Sequence, residues 1–378
     1  MSGIYLHIPF CKQACHYCNF HFSTSLKWKS ELLTCMLSEL ELQKNYLSGS
    51  LVETIYFGGG TPSLLQADEL NQLIAHIDRH FNLSQSPEIT LEANPDDLGS
   101  QQLKSFKQTP INRFSIGIQS FFEEDLRWMN RSHTGEEAED CVKRTQDAGF
   151  ENITADLIYG YPLLSNEKWH SNIQKMIHLD IPHVSCYGMT VESGTALHHF
   201  IKSGENTPMN DAQSASQFEY LMDVLEAAGF LHYEISNFAK AGRESQHNSN
   251  YWKGVPYLGI GPSAHSFNGS SRQWNISNNA NYIEQINAGT VPATVESLGL
   301  YDRFNEYVMT ALRTHWGLNM SFVEQEFGQP LRENLSLKAA SFLAKNWLIL
   351  ADDCLLLSRS GKLFADHIAS ELFELKDE

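Results

Sequence analysis

Short runs of apolar and β-branched residues recur through the first 230 positions, at GIYLHIPF, ETIYFGGG, EITLEANP, RFSIGIQS, NITADLIYG and HVSCYGMT. Each is too short for a core helix and reads as a buried strand. Between them the apolar residues fall three and four apart, as in WKSELLTCMLSELELQKNYL and ADELNQLIAHIDRHF, which is the spacing of amphipathic helices. Alternating strands and helices predict βαβ units, a parallel sheet and an α/β fold. Six such units with right-handed crossovers predict an incomplete (β/α)6 barrel of TIM-like type. The alternative is a doubly wound sheet, but the GxGxxG turn that follows its first strand is absent.

From 232 to 298 the pattern weakens into an expected loop-rich extension with HYEISNFAK, HNSNYW, YLGIGPSAHSF and SRQWNISNNANY. A different unit is expected over 299–378. In DRFNEYVMTALRT, Phe304, Val308 and Leu312 lie four apart on one helical face. A second helix in LSLKAASFLAKNWL, a short hairpin in LLLSRSGKLF and a helix in ADHIASELF complete a small, mostly helical, winged-helix-like domain. The three expected divisions are thus 1–231, 232–298 and 299–378.

The net charge of −18 argues against nucleic acid as a partner, which calls for a basic face. The last domain is itself acidic, so a lid or docking role fits it better than DNA binding. No stretch of the sequence approaches the roughly 18 apolar residues of a membrane span. The start, MSGIYLHIPF, lacks the basic and apolar regions of a signal peptide. These features predict a soluble, cytoplasmic protein. Of seven cysteines, Cys35, Cys141, Cys186 and Cys354 are scattered and read as small buried apolar groups. Cys11, Cys15 and Cys18 sit within eight residues, a cluster that in a reducing compartment favours metal chemistry over disulfides.

Three thiolates suit zinc if His16 or His21 adds a fourth ligand, or an iron–sulfur cluster with one iron left open. The spacing leaves both open. Position along the chain adds to it, because the cysteine loop follows the first strand, where barrels carry their active-site loops. The later strands end on Gly58-Gly59-Gly60-Thr61-Pro62, on Glu92, on Gln119 and on Asp156. One such motif is an ordinary turn or cap; a candidate group after each of five successive strands is not explained by turns.

CxxxCxYC, GGGTP, EANP, GIQSF and DLIYGYP in this order resemble the radical S-adenosylmethionine superfamily, and within it the oxygen-independent coproporphyrinogen III oxidase-like family, over nearly the whole chain. The resemblance implies a 4Fe–4S cluster on Cys11, Cys15 and Cys18, with S-adenosylmethionine chelating the open iron. An electron from an external donor would then cleave the sulfonium to a 5′-deoxyadenosyl radical. It also implies that Tyr5 and Glu92 contact this cofactor, and that Gly59, Gly60 and Thr61 line its cleft. Tyr17, Gln119, Arg131 and Asp156 match positions near a second S-adenosylmethionine. Taken without the resemblance, Arg131 in WMNRSHT reads as a solvated surface cation.

Two departures matter. The oxidases carry a fourth cysteine, in CxxxCxxCxC, where this chain has Phe20, and they have a longer segment ahead of the first strand. Both put decarboxylation in doubt. His247-Asn248-Ser249-Asn250-Tyr251-Trp252 is similar to the HNxxYW signature of the family's haem-chaperone subgroup. That implies a carrier that binds haem and passes it to acceptor proteins such as respiratory enzymes. His247 and His265 are candidate axial ligands, and Tyr251 and Trp252 are candidate flanks for the macrocycle. Without the resemblance, these residues read as a hydrogen-bonded loop whose Trp plugs the barrel, and His265 as packing in a glycine-rich turn. Coproporphyrinogen oxidase activity is not expected, whether S-adenosylmethionine is cleaved is left open, and a cluster- or haem-dependent homodimer is allowed. The rival readings are the oxidase itself and a zinc-stabilised binding protein.

Overall fold

The computed structural model describes residues 1–375. Six parallel strands, β1 (Ser2–Ile8), β2 (Val52–Gly59), β3 (Leu83–Ala93), β4 (Arg113–Gln119), β5 (Ile153–Tyr159) and β6 (His183–Gly188), pair in sequence order. Their inner stretches are buried on both faces, which explains why they read as continuous apolar runs rather than alternating ones. Helices such as Lys29–Leu42 and Ala67–His80 connect them. The second buries Leu70, Leu73, Ile74 and Ile77 as its spacing requires. Its start is capped by the Glu69 carboxylate, which accepts from the Gln66 backbone N–H at 2.7 Å.

The sheet does not close on itself. Beyond β6 it runs into β7 (Leu231–Glu234) and β8 (Asn237–Ala239), with β8 antiparallel to β6. On the other side β9 (Tyr257–Ile260) joins β1 in parallel and leads to β10 (His265–Phe267), β11 (Ser271–Asn275) and β12 (Ala293–Ser297). Among the described residues the sheet therefore has twelve strands. The segment expected to be loop-rich thus extends both ends of an incomplete barrel. Its strands hold three to five residues, too few for a period to show.

A second apolar core holds Phe304, Val308, Leu312, Val323, Leu335 and Ile368, confirming the face expected for helix Leu300–Leu312. A small sheet of β13 (Leu318–Asn319), β14 (Leu348–Ala351) and β15 (Cys354–Leu357) packs with these helices. The hairpin sits earlier than LLLSRSGKLF: it turns at Asp352-Asp353, both with positive φ. Asp tolerates that region, and the two-residue turn it makes matches strand twist. Gly361–Phe364 is instead a single 3-10 turn.

Candidate functional site

A cavity of ≈ 470 Å³ opens at the C-terminal ends of the six parallel strands. It is lined by Cys11, Cys15 and Cys18 from the loop after β1, by Gly59 at the end of β2 with Gly60 and Thr61 after it, and by Glu92, Gln119 and Asp156 from β3, β4 and β5. Tyr17 and Arg131 complete the wall. Eleven residues singled out for the cluster and its cofactor thus face one space, although they lie as far apart in sequence as Cys11 and Asp156.

The glycines act on the root of the cysteine loop. Gly59 has φ +102, the region that disfavours side chains. A Cβ on Gly60 would lie 2.7 Å from the carbonyl oxygens of Ile8 and Phe10. The Gly60 and Thr61 N–H groups donate to those same carbonyls, at 2.9 and 2.7 Å. The far side of the loop is held by Lys12, which bridges to Asp96 at 2.8 Å and to Asp97. There Gln13 also donates to Asn130 at 2.6 Å, and Asn130 donates to the Ala14 carbonyl at 2.7 Å.

Arg131 is not a solvated cation. Its Nη1 points at Cys15 Sγ at 3.2 Å, while Nη2 donates to Asn94 Oδ1 and the Gly117 carbonyl, each at 2.7 Å. Gln119 carries φ +67 at the end of β4, a costly conformation for a non-glycine residue and one that clusters at functional positions. Burial pushes the Glu92 carboxyl up to about 7, aided by the nearby Asp156, although Tyr56 donates to Glu92 at 2.8 Å and the Gly59 N–H at 3.1 Å. Burial likewise pushes Asp156 up to about 6. Two carboxyls that resist ionisation beside a cationic guanidinium suit a ligand carrying positive charge and hydroxyls.

Cys11 is pushed up to about 11, chiefly by burial and also by the other two cysteines. Such thiols lose their protons only when cationic metal arrives to replace them. Three thiols in one cavity, one already contacted by Arg131, fit the donor set of an iron–sulfur cluster. The zinc alternative would draw its fourth ligand from His16 or His21, each of which has one ring nitrogen engaged: His16 Nδ1 pairs with the Trp128 carbonyl at 2.8 Å, and His21 Nε2 pairs with Asn279 at 2.7 Å. Among the described residues no three Cys, His, Asp or Glu groups are placed to hold a single ion.

Tyr5 is the exception among the cofactor residues. Its hydroxyl lies 3.3 Å from His7 Nδ1, and its ring lines a second cavity; Tyr56 takes the place beside Glu92. This second space, ≈ 1310 Å³, lies between the barrel mouth and the C-terminal helices and also receives Tyr251, Trp252 and His265. His247 does not reach it. That ring is 2% exposed, with Nδ1 2.7 Å from Thr54 Oγ1 and Nε2 2.8 Å from the Tyr251 hydroxyl. Its position matches the hydrogen-bonded loop. Trp252 lies under the Arg313 guanidinium, 5.5 Å from the indole ring centre, and its indole N–H has no partner among the described residues.

Sequence reasoning missed Tyr56 and Asn94, and also Tyr187 near the end of β6 and Met189 and Glu192 just after it, all near or in the first cavity. The strand-end argument was the available signal for the last three: it was applied to five strands and holds for the sixth. Phe20 is 66% exposed and lines both cavities, so the residue that replaces the oxidases' cysteine stands where the two spaces meet.

The profile of the radical SAM superfamily matches residues 5–176, and that of the HemN C-terminal domain matches residues 300–364. A Mycobacterium tuberculosis protein named heme chaperone HemW is 33% identical over 375 residues, covering 98% of this chain and 94% of its own. A Bacillus subtilis protein of the same name is 32% identical, covering 97% of this chain and 98% of its own. In structure, coproporphyrinogen III oxidase (HemN) from Escherichia coli, described as a radical SAM enzyme, matches with a TM-score of 0.85. It does so at 20% identity, over 98% of this chain and 90% of that one, a likeness of fold.

Proposed function

Because the chain belongs to the HemW family within the radical SAM superfamily, we propose that it binds haem and delivers it to haem-free acceptor proteins, on a scaffold built for a 4Fe–4S cluster and S-adenosylmethionine. The observation that carries this reading is the similarity to haem chaperones along the whole chain, both domains included. Phe20 supports it, since the thiol typical of the oxidases is missing while the three cysteines remain.

Cys11, Cys15 and Cys18 would hold the cluster, which when bound supplies one-electron chemistry and an open iron for S-adenosylmethionine. The chain's own part is to position and screen. Gly60 and Thr61 fix the loop root through their N–H groups, and Arg131 orients Cys15 while offering positive charge to a carboxylate. Glu92 and Asp156 present acceptors to hydroxyl and ammonium groups, Thr61, Tyr17 and Gln119 complete the wall, and Tyr5 acts from behind Gly58. The partners implied are haem, an acceptor haemoprotein and an electron donor, with a homodimer as one assembly. No helix among the described residues is long and apolar enough to cross a membrane, and we place the protein in the cytoplasm.

The test is an anaerobic titration of cluster-loaded protein with ferric haem, followed by transfer to a haem-free acceptor. Saturable binding and transfer are expected. Failure to bind haem, or robust protoporphyrinogen formation from coproporphyrinogen III, would overturn the reading. Replacing all three cysteines with Ala should abolish the brown cluster absorbance; retained iron and sulfide would show the ligands to be misassigned.

A further inference from the structure

We infer that the cleft between the barrel mouth and the C-terminal helices is the cargo seat, and that His265 rather than His247 presents the axial nitrogen to haem iron. This rests on the haem-carrying reading above.

Size is the first argument. At ≈ 1310 Å³ the cleft exceeds the roughly 300–1,000 Å³ of ordinary small-ligand pockets. It thus has room for a flat tetrapyrrole with its side chains. The walls are the second. Tyr251 and Tyr257 stand nearly perpendicular at 4.6 Å between ring centres, and the cleft is also lined by Met309 and Phe322 from the C-terminal helices and by Trp316 from the turn between them. These last three are 37–43% exposed, a patch of apolar surface that a hydrophobic macrocycle would cover. Charge is the third. Arg303 lines the cleft and makes no ion pair among the described residues, so its fork is open to a propionate carboxylate. Arg272 is already paired with Glu306.

The histidines then divide cleanly. Two line the cleft, His7 and His265. His7 uses both nitrogens, toward Tyr5 at 3.3 Å and the His21 carbonyl at 2.9 Å. His265 is exposed, and neither of its ring nitrogens has a hydrogen-bond partner among the described residues. It stands on β10 opposite Trp274 on β11, with ring centres 6.2 Å apart and planes 24° from parallel, which holds the imidazole on a rigid element. At the far wall Phe20 separates this seat from the cluster cavity, which places cargo and cofactors side by side.

The test uses the full, cluster-loaded chain under anaerobic conditions with two probes, ferric protoporphyrin IX and metal-free protoporphyrin IX. Losing a hydrogen bond behind a metal ligand costs about 10–100-fold in affinity, and losing the ligand itself should cost no less. His265→Ala should therefore weaken ferric haem by about tenfold or more and shift its Soret band. Affinity for the metal-free macrocycle should stay unchanged, and added imidazole should restore the band. Met309→Trp, which fills the cleft, should weaken both probes alike. Cluster iron content and circular dichroism report that both variants are folded. If wild-type protein binds no haem, the carrier reading itself fails. If it binds and His265→Ala leaves spectrum and affinity unchanged, or Met309→Trp leaves both probes unaffected, the carrier reading stands and this seat is wrong.

Discussion

The guanidinium of Arg131 reaches Cys15 with one nitrogen, 3.2 Å from the sulfur, while its other terminal nitrogen is anchored on Asn94 and Gly117. One side chain thereby ties the cysteine loop to the ends of β3 and β4. Its Nε N–H is buried with no partner among the described residues. A guanidinium suits this task because its donors are fixed in a planar fork.

Replacing Arg131 with Lys keeps the charge but not the fork, and one ammonium cannot serve three acceptors in those directions. The expected loss is about 1.5–3 kcal/mol of apoprotein stability, the worth of hydrogen bonds to a charged group. Less iron and sulfide should be retained after anaerobic reconstitution. Denaturant melts together with metal analysis check both; wild-type values in each would remove Arg131 from the loop's support.

Gly60→Ala should be far more damaging than its size suggests. The new methyl would meet backbone atoms of Ile8 and Phe10 at 2.7–2.8 Å, and backbone cannot swing aside as a side-chain tip can. The cysteine loop must move, so cluster incorporation should collapse. Gly99 provides the comparison: nothing lies within 4 Å of its added Cβ, and at this helix N-cap the change should cost about 0.5–1 kcal/mol of stability without displacing the cysteine loop. Equal cluster content in the two variants would sink the argument.

The contrast between those glycines also shows how far the sequence was legible. Strand-end placement found the cysteine loop, the GGGT turn, Glu92, Gln119 and Asp156, because each is local to a strand whose apolar run is unmistakable. Arg131 was a different matter. No local pattern marks WMNRSHT, and its role arises from contacts with residues 94 and 117 and with Cys15, joined only by the fold. The hairpin was misplaced because Asp352-Asp353 looks like any polar pair until both residues adopt positive φ. The HNxxYW signature stands out in the sequence by resemblance, yet composition could not show that Thr54, 193 positions away, engages the ring of His247.

Glu92 should make the apoprotein's stability fall as pH rises through the weakly acidic range. Its carboxyl is raised from 4.5 to about 7, so between those values the native chain keeps a proton that the unfolded chain releases. Stability is then lost as pH climbs. A shift of this size corresponds to at most about 3 kcal/mol. Glu92→Gln should flatten this limb in denaturant melts of the metal-free protein between pH 4.5 and 7. A slope identical to wild type would mean the carboxyl titrates normally.

His247 gives the opposite slope at lower pH. Burial, reinforced by the charge of Arg113, lowers it from 6.5 to about 3. Below 6.5 the unfolded chain therefore takes up a proton that the native ring refuses. The stability it contributes is complete above 6.5 and is lost as pH falls toward 3. His247→Ala should remove this acid sensitivity while lowering stability at pH 7.5 by about 2–4 kcal/mol, because it leaves a cavity and strips Thr54 and Tyr251 of their partner. A ring committed at both nitrogens cannot also ligate iron, so the ferric haem spectrum of the folded variant should match wild type. A lost or shifted Soret band, with stability little changed, would instead make His247 a ligand that frees itself from Thr54 or Tyr251 when haem arrives.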